Sequence, residues 1–143
     1  MISVIGFDGK NHKFNFSKNK YRKSRSNKSS YHIKARKILS DYFSQYSIYE
    51  ETTLPGSKRP SRRSLLYADF FIPEIMLIVE VHGQQHYEFS SFFHRTKANF
   101  FKSKKRDKDK VEWCRLNDID ILILPYSEQD QWKKMIMKAR SRD

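Results

Sequence analysis

Apolar residues recur along this chain with two different periods, and the switches between them mark its elements. Between residues 30 and 45, Ala35, Ile38, Leu39 and Tyr42 fall at the spacing of one helical face, with Ser29 and Ser30 placed as caps. Ser47 to Thr53 is rich in β-branched and aromatic residues and ends at Leu54-Pro55-Gly56, a turn signal. After a basic loop, Leu65 to Ile72 has the same character, so two strands joined by a loop are predicted. Met76 to His82 follows the break at Pro73 and is almost continuously apolar, the pattern of a central strand covered on both faces. A long basic helix is predicted over 95–117 and a second buried strand over 119–124, stopping at Pro125. A final helix capped by Ser127 carries Trp132, Met135, Ile136 and Ala139 on one face. Ile2 to Gly6 is a candidate extra strand. This order predicts an α/β sandwich, a central mixed sheet flanked by helices.

The chain has 143 residues, enough for one domain, and no fixed-period repeat. Its longest apolar runs are about ten residues, against about twenty for a membrane span, and Met1 to Ile5 lacks the basic flank of a signal peptide. The single cysteine, Cys114, forms neither an internal disulfide nor a thiolate zinc site, so no structural zinc is expected and a reducing cytoplasmic setting fits. Charge adds a partner to this picture. There are 29 Lys and Arg against 16 Asp and Glu, a formal net charge of +13. The excess is clustered, which points to a polyanion. Residues 10 to 28 hold Lys10, Lys13, Lys18, Lys20, Arg22, Lys23, Arg25 and Lys28 without one acid, interleaved with Phe14, Phe16 and Tyr21, and read as a basic arm with stacking side chains. A second cluster is Lys58, Arg59, Arg62 and Arg63 in a Pro/Ser-rich loop. A third runs from Arg95 to Lys110 and includes Lys104, Lys105 and Arg106.

Residues two apart on a strand share a face, so Glu80 and His82 point the same way at the end of the central strand. A buried carboxylate needs compensation, and a divalent cation provides it while also doing chemistry. Asp69 lies on the preceding strand. If the two strands pair through the turn near Pro73, Asp69 and Glu80 converge on a hard oxygen site suited to magnesium or manganese. Gly83 permits a sharp bend after the strand, which lets His86 fold back toward His82. Two imidazoles beside paired acids supply the base and the leaving-group support that phosphodiester hydrolysis needs.

Tyr67-Ala68-Asp69-Phe70, then Ile78-Val79-Glu80-Val81-His82-Gly83-Gln84-Gln85-His86-Tyr87, Arg106-Asp107, Leu116-Asn117 and Ile121-Leu122-Ile123 together resemble the very-short-patch mismatch-repair endonucleases. Phage and homing endonucleases of the PD-(D/E)XK nuclease superfamily are similar as well. The resemblance covers roughly residues 30 to 126 and implies a restriction-endonuclease-like fold, with a basic N-terminal arm or small extension over 1–28 and a nuclease domain over 29–143. It further implies a magnesium-dependent endodeoxyribonuclease, manganese substituting, that nicks or cleaves double-stranded DNA, branched or mismatched forms included. Asp69 would be the principal metal ligand, the Val81 carbonyl a second and His82 the general base. His86 would assist the phosphate or leaving group, and Asp107 would orient a histidine or hold metal-bound water. Glu80 stands where the repair enzymes lack an acid and His82 where the superfamily has a lysine. Their cysteine-rich zinc site has no counterpart here, and Gln84-Gln85 replace the aromatic wedge expected after the glycine.

Lys110, Lys105 and Arg106 are placed to stabilise charge developing on phosphate or to contact the DNA backbone. The three basic clusters would grip phosphates. A monomer with one site would nick, a homodimer would cut both strands, and a phage-encoded enzyme would act in the host cytoplasm. Rival readings are a catalytically silent nucleic-acid-binding module of the same fold, within a phage or host complex that includes a protein partner, and an RNA-processing nuclease. Phe92, Phe93, Phe100 and Phe101 are expected in the core, with intercalation into DNA as the alternative. Trp113, Trp132 and Cys114 are expected to be packing, and Glu50 and Glu51 to lie at the surface.

Overall fold

A computed structural model describes residues 2–14 and 29–140. The elements are β1 (Ile2–Ile5), β2 (Asn11–Phe14), α1 (Ser30–Tyr42), β3 (Tyr49–Thr53), β4 (Tyr67–Ile72), β5 (Leu77–His82), α2 (Ser91–His94), α3 (Lys97–Leu116), β6 (Asp120–Pro125) and α4 (Trp132–Arg140). The main sheet runs β3-β4-β5-β6. Its first two pairings are antiparallel and β5 to β6 is parallel, so the sheet is mixed and α2 and α3 form the crossover that a parallel pair requires. Every residue of β5 is buried, as expected of a strand covered on both faces.

Two cores follow from strand alternation. One face of the sheet gives Phe70, Ile72, Leu77, Val79 and Val81 to α1 and α4, which add Ala35, Ile38, Leu39, Trp132 and Ile136. The other face gives Phe71 and Ile78 to Trp113 and Cys114 of α3. Each large side chain removed from water in this way contributes about 1.5–3 kcal/mol. Ser29 caps α1, its hydroxyl accepting from the His32 N–H at 3.2 Å. Trp113 and Trp132 pack fully buried, each donating its indole N–H to a proline carbonyl, Pro55 and Pro125 respectively.

The chain's first residues make an antiparallel hairpin, β1 with β2, which seats Val4 and Phe14 in the α3-side core. Asn117 ties it down by mimicking a strand partner: its Oδ1 accepts from the Ile5 N–H at 2.6 Å and its Nδ2 donates to the Ile5 carbonyl at 3.0 Å. On the other side the Phe7 N–H donates to the Gly56 carbonyl. Gly56 sits at φ +73, and a Cβ there would come within 2.5 Å of the Gly6 Cα, so the close approach of hairpin and loop needs glycine.

Several expectations are corrected. Phe14 is a core residue, stacked on Phe71 at 4.9 Å, and not a solvent-facing stacking platform. The last helix starts at Trp132, after a 3-10 stretch over Tyr126–Gln131, so Ser127 does not cap it. Thr96 caps α3. Phe92, Phe93 and Phe101 are exposed instead of buried, and join neither core cluster. Among the described residues, no helix is long and apolar enough to cross a membrane.

Candidate active site

The β4–β5 register pairs Phe70 with Val79, so Asp69 and Glu80 stand opposite each other where the ladder ends. Phe71, Ile78 and their alternates Asp69, Glu80 and His82 all face α3. The two acids complete each other's backbone: the Asp69 N–H donates to Glu80 Oε2 at 2.7 Å, and the Val81 N–H donates to Asp69 Oδ2 at 2.8 Å. Glu80 Oε1 takes the Lys110 ammonium at 2.5 Å. On α3, positions 107, 110 and 114 recur at helical spacing, which brings Asp107 and Lys110 to the same face as buried Cys114. Cys114 has its thiol pushed up to about 12, by burial first and then by Glu80, and is inert packing.

Beyond β5 the chain turns through a short 3-10 segment, Gln84–His86. Gly83 itself is extended at φ −75 and ψ −177, which any residue adopts, so the turn does not rest on glycine. It returns His86 onto His82 with ring centres 3.9 Å apart and planes within 7°. His86 Nδ1 donates to Asp107 Oδ2 at 2.9 Å, which leaves Nε2 as the lone-pair nitrogen.

The electrostatics are uneven. Burial, and then the charge of Asp69, push the Glu80 carboxyl up to about 7 despite Lys110. Burial opposes charge on Lys110, but Glu80, with Asp69 and Asp107 behind it, outweighs that and keeps the ammonium protonated. His82 is driven down to about 4 by burial and by the neighbouring His86. Burial would raise Asp107, and the His86 hydrogen bond and charge outweigh it, holding this carboxyl low. Perturbation in both directions within one cluster is what acid–base chemistry uses.

Three carboxylates, Asp69, Glu80 and Asp107, surround one ammonium in a protein of net charge +13. That donor set fits a hard divalent cation at Asp69, whose Oδ1 receives no hydrogen bond from a described residue, and Val81, whose carbonyl the resemblance implies as a second ligand, meets Asp69 through its N–H. Glu80, expected as a ligand, has both oxygens committed to protein donors. His82, His86 and Asp107 also bring ligand atoms within 4.8 Å of one another. Parallel stacked rings, however, cannot both aim an in-plane lone pair at one ion, and Asp107 already occupies His86 Nδ1, so these three read as a proton-transfer group.

The basic loop divides. Arg59 and Arg62 reach Asp109 at 3.1 Å each, and Arg59 also reaches Glu112 at 2.9 Å. These two dock the loop onto α3, whereas Lys58 and Arg63 are exposed. Lys104, Lys105 and Arg106 are exposed on α3, and Lys102, Lys105 and Arg106 face Arg62 across a cleft of about 380 Å³. Lys18, Lys20, Arg22, Lys23 and Arg25 lie outside the described residues.

Glu50 was expected at the surface and is fully buried on the α1 face. It accepts from His32 at 2.7 Å and from Arg36 at 2.9 and 3.0 Å. The signal was present in Ile48, Glu50, Thr52 and Leu54, a period-two run of inward positions, with His32 and Arg36 one helical turn apart opposite it. Glu51 is half-buried at φ +50, and the register on either side puts it across from Asp69. Asp109, the anchor of the basic loop, was missed because a helix rich in charge gives no periodic cue.

No family model matches this chain, and no solved structure does. Two curated viral proteins are similar. "Uncharacterized protein 033L" of Invertebrate iridescent virus 3 is 37% identical over 70 residues, 49% of this chain and 36% of the relative. "Uncharacterized protein 307L" of Invertebrate iridescent virus 6 is 35% identical over 65 residues, 46% of this chain and 33% of the relative. The chain thus spans about a third of the length of the curated relatives it matches.

Proposed function

We propose that the protein is a magnesium-dependent endonuclease that hydrolyses phosphodiester bonds of double-stranded DNA, built on a restriction-endonuclease-like arrangement of the mixed sheet and its helices. The observation that carries this reading is the His86–Asp107 pair, stacked on His82 at the end of the strand where Asp69 meets Glu80 and Lys110. The basic cleft between Arg62 and α3 supports it as a phosphate track.

Asp107 holds His86 Nδ1–H, so Nε2 accepts the proton of the water that attacks phosphorus. The bond to the leaving oxygen breaks as the new one forms, that oxygen takes its proton from solvent, and the carboxylate neutralises the imidazolium until it deprotonates. His82 stays neutral at pH 7, so it adds no positive charge beneath His86 and leaves it a competent base. The base is therefore His86, with His82 as its packing platform. Glu80 fixes Lys110, whose ammonium lies within the carboxylate cluster and limits its repulsion. Magnesium held by Asp69 and the Val81 carbonyl would supply charge stabilisation at a phosphoryl oxygen. An origin in a viral or phage genome agrees with the relatives' sources.

The test is plasmid nicking by wild type, Asp69→Ala and His86→Ala in Mg²⁺, Mn²⁺ and EDTA, with gel-shift binding on the same preparations. Cutting by wild type in metal alone, with both variants binding yet failing to cut, supports the reading. Equal binding with no cutting by any of the three replaces it with a silent binding module, and cutting of RNA alone replaces it with a ribonuclease.

A further inference from the structure

Three of the most exposed aromatic side chains of the described residues lie on α2 and the first turns of α3. Phe92 is 85% exposed, Phe93 52% and Phe101 65%. Arg95, Lys97, Lys102, Lys104, Lys105 and Arg106 around them are exposed too. An apolar patch this positive does not suit a protein surface of ordinary composition, but it matches a polyanion that presents a π face.

Between α2 and the first turns of α3 lies an open cleft of about 540 Å³, lined among others by Gln85, Phe93, Arg95, Asn99 and Arg106. Its volume is within the roughly 300–1,000 Å³ of small-ligand sites. Gln85 and Arg106, two of the lining residues, are the chain neighbours of His86 and Asp107, so the same turn and the same stretch of α3 carry both the cleft and the proton-transfer pair. Its chemistry is that of a base site: an aromatic ring to stack on, an amide to read an edge and two guanidiniums for flanking phosphates. Asn99 Nδ2 donates to the His94 carbonyl at 2.9 Å, which leaves the amide oxygen as an acceptor.

The cleft is also built rigidly. His94 is buried, accepts from the Ser90 N–H through Nδ1 at 3.1 Å and donates from Nε2 to the Gln85 carbonyl at 2.8 Å, tying α2 to the turn that carries His86. Phe92 braces Phe93 edge to face at 5.0 Å. Arg95 is held at φ +65, a conformation that persists in a non-glycine residue only where neighbouring contacts impose it.

We propose that this cleft receives a nucleobase swung out of the duplex, so that the DNA recognised carries an unpaired nucleotide next to the phosphate presented to His86. The inference deepens the nuclease reading and rests on it for the position of the cut, while base capture itself needs no turnover. The experiment is fluorescence anisotropy in EDTA, where nothing is cut, with a duplex carrying a single-nucleotide bulge, the same duplex fully paired, and the same bulge made abasic. Wild type is expected to prefer the bulge about tenfold, since stacking one base on one aromatic ring is worth that order. The preference should vanish for the abasic bulge and for Phe93→Ala, and return in Phe93→Trp, with affinity for paired DNA unchanged throughout. Phe93 is half-exposed, so the substitution leaves the fold intact. Equal binding of bulged and paired DNA, a preference that survives removal of the base, or one indifferent to Phe93→Ala overturns the proposal. Any of these leaves the nicking assay to judge the nuclease reading on its own, whereas absence of all DNA binding at low salt sinks both.

Discussion

Two buried ionic clusters lie on opposite faces of one sheet, and they are built from nearly the same parts. On the α1 face Glu50 meets His32 and Arg36; on the α3 face Asp69 and Glu80 meet Lys110, with His82, His86 and Asp107 beyond. In the first, both carboxylate oxygens have matched donors. Burial would raise the Glu50 carboxyl, yet His32 and Arg36 together hold it low. In the second, two acids share a lysine, and Glu80 rises to about 7 while His82 falls to about 4. A satisfied cluster is a structural rivet. One whose groups are perturbed in opposite directions is the arrangement that the proposed hydrolysis would use.

The largest separation is expected in activity. His86→Ala and Asp107→Asn should each reduce the nicking rate by roughly 10²–10⁴-fold, whereas His32→Ala should leave the rate per folded molecule unchanged. A His32→Ala variant that folds but fails to cut would erase the distinction between the two faces.

Stability should show the reverse. Glu50→Ala removes the buried carboxylate that Arg36 and His32 share, and should cost about 3–5 kcal/mol in urea unfolding. A loss below about 1 kcal/mol would mean the α1-face cluster is not a rivet.

The pH dependence sharpens the contrast further. Glu80 is raised from 4.5 to about 7, so the folded state binds its proton more tightly and stability falls as pH rises through that window. His82 is lowered from 6.5 to about 4, so the unfolded state binds its proton more tightly and stability rises between pH 4 and 6.5. The two oppose each other. Unfolding at a series of pH values should therefore give a shallow wild-type profile from pH 4.5 to 6.5, a falling one in His82→Asn and a rising one in Glu80→Gln. Parallel profiles in all three would show that neither group is perturbed.

The smallest effects concern the basic loop, which repeats the same division. Lys58→Ala and Arg63→Ala should each lower the slope of log affinity against log salt by about one, without changing stability. Arg62→Ala should instead lower the urea midpoint, because Asp109, buried at 4% exposure, loses one of its two guanidiniums. Identical salt slopes for wild type and both exposed variants would remove the loop from the DNA interface.

Much of this was legible beforehand. The run Met76 to His82 announced a strand buried on both faces because it lacks alternation, and the spacing within α1 announced its inner stripe. The convergence of Asp69 and Glu80 followed from one assumed turn. Lys110 and Asp109 were not legible as partners, because α3 is charged on every side and its period-3.6 signal is swamped. Which helix residue meets which strand residue depends on how α3 lies across the sheet. The exposure of Phe92 and Phe93 escaped for a related reason: apolar side chains are buried only where another element covers them, and these two join neither core.

Local rules sufficed for the order of the main-sheet strands and the three long helices, the inward phase of α1 and α4, the excess of positive charge and the grouping of an acid with two imidazoles within seven residues, but not for β2, for α2 or for the inward turn of Glu50. These properties depend on neighbours in the chain and on period. Tertiary structure alone decided that the Glu50 carboxyl is held low by His32 and Arg36 while that of Glu80 is raised by burial and Asp69, that Asp107 orients His86 and that two of the loop's arginines hold the loop in place. A side chain's charge state and role are set by what stands within a few ångströms of it, and those neighbours come from α1 or α3, tens of residues away.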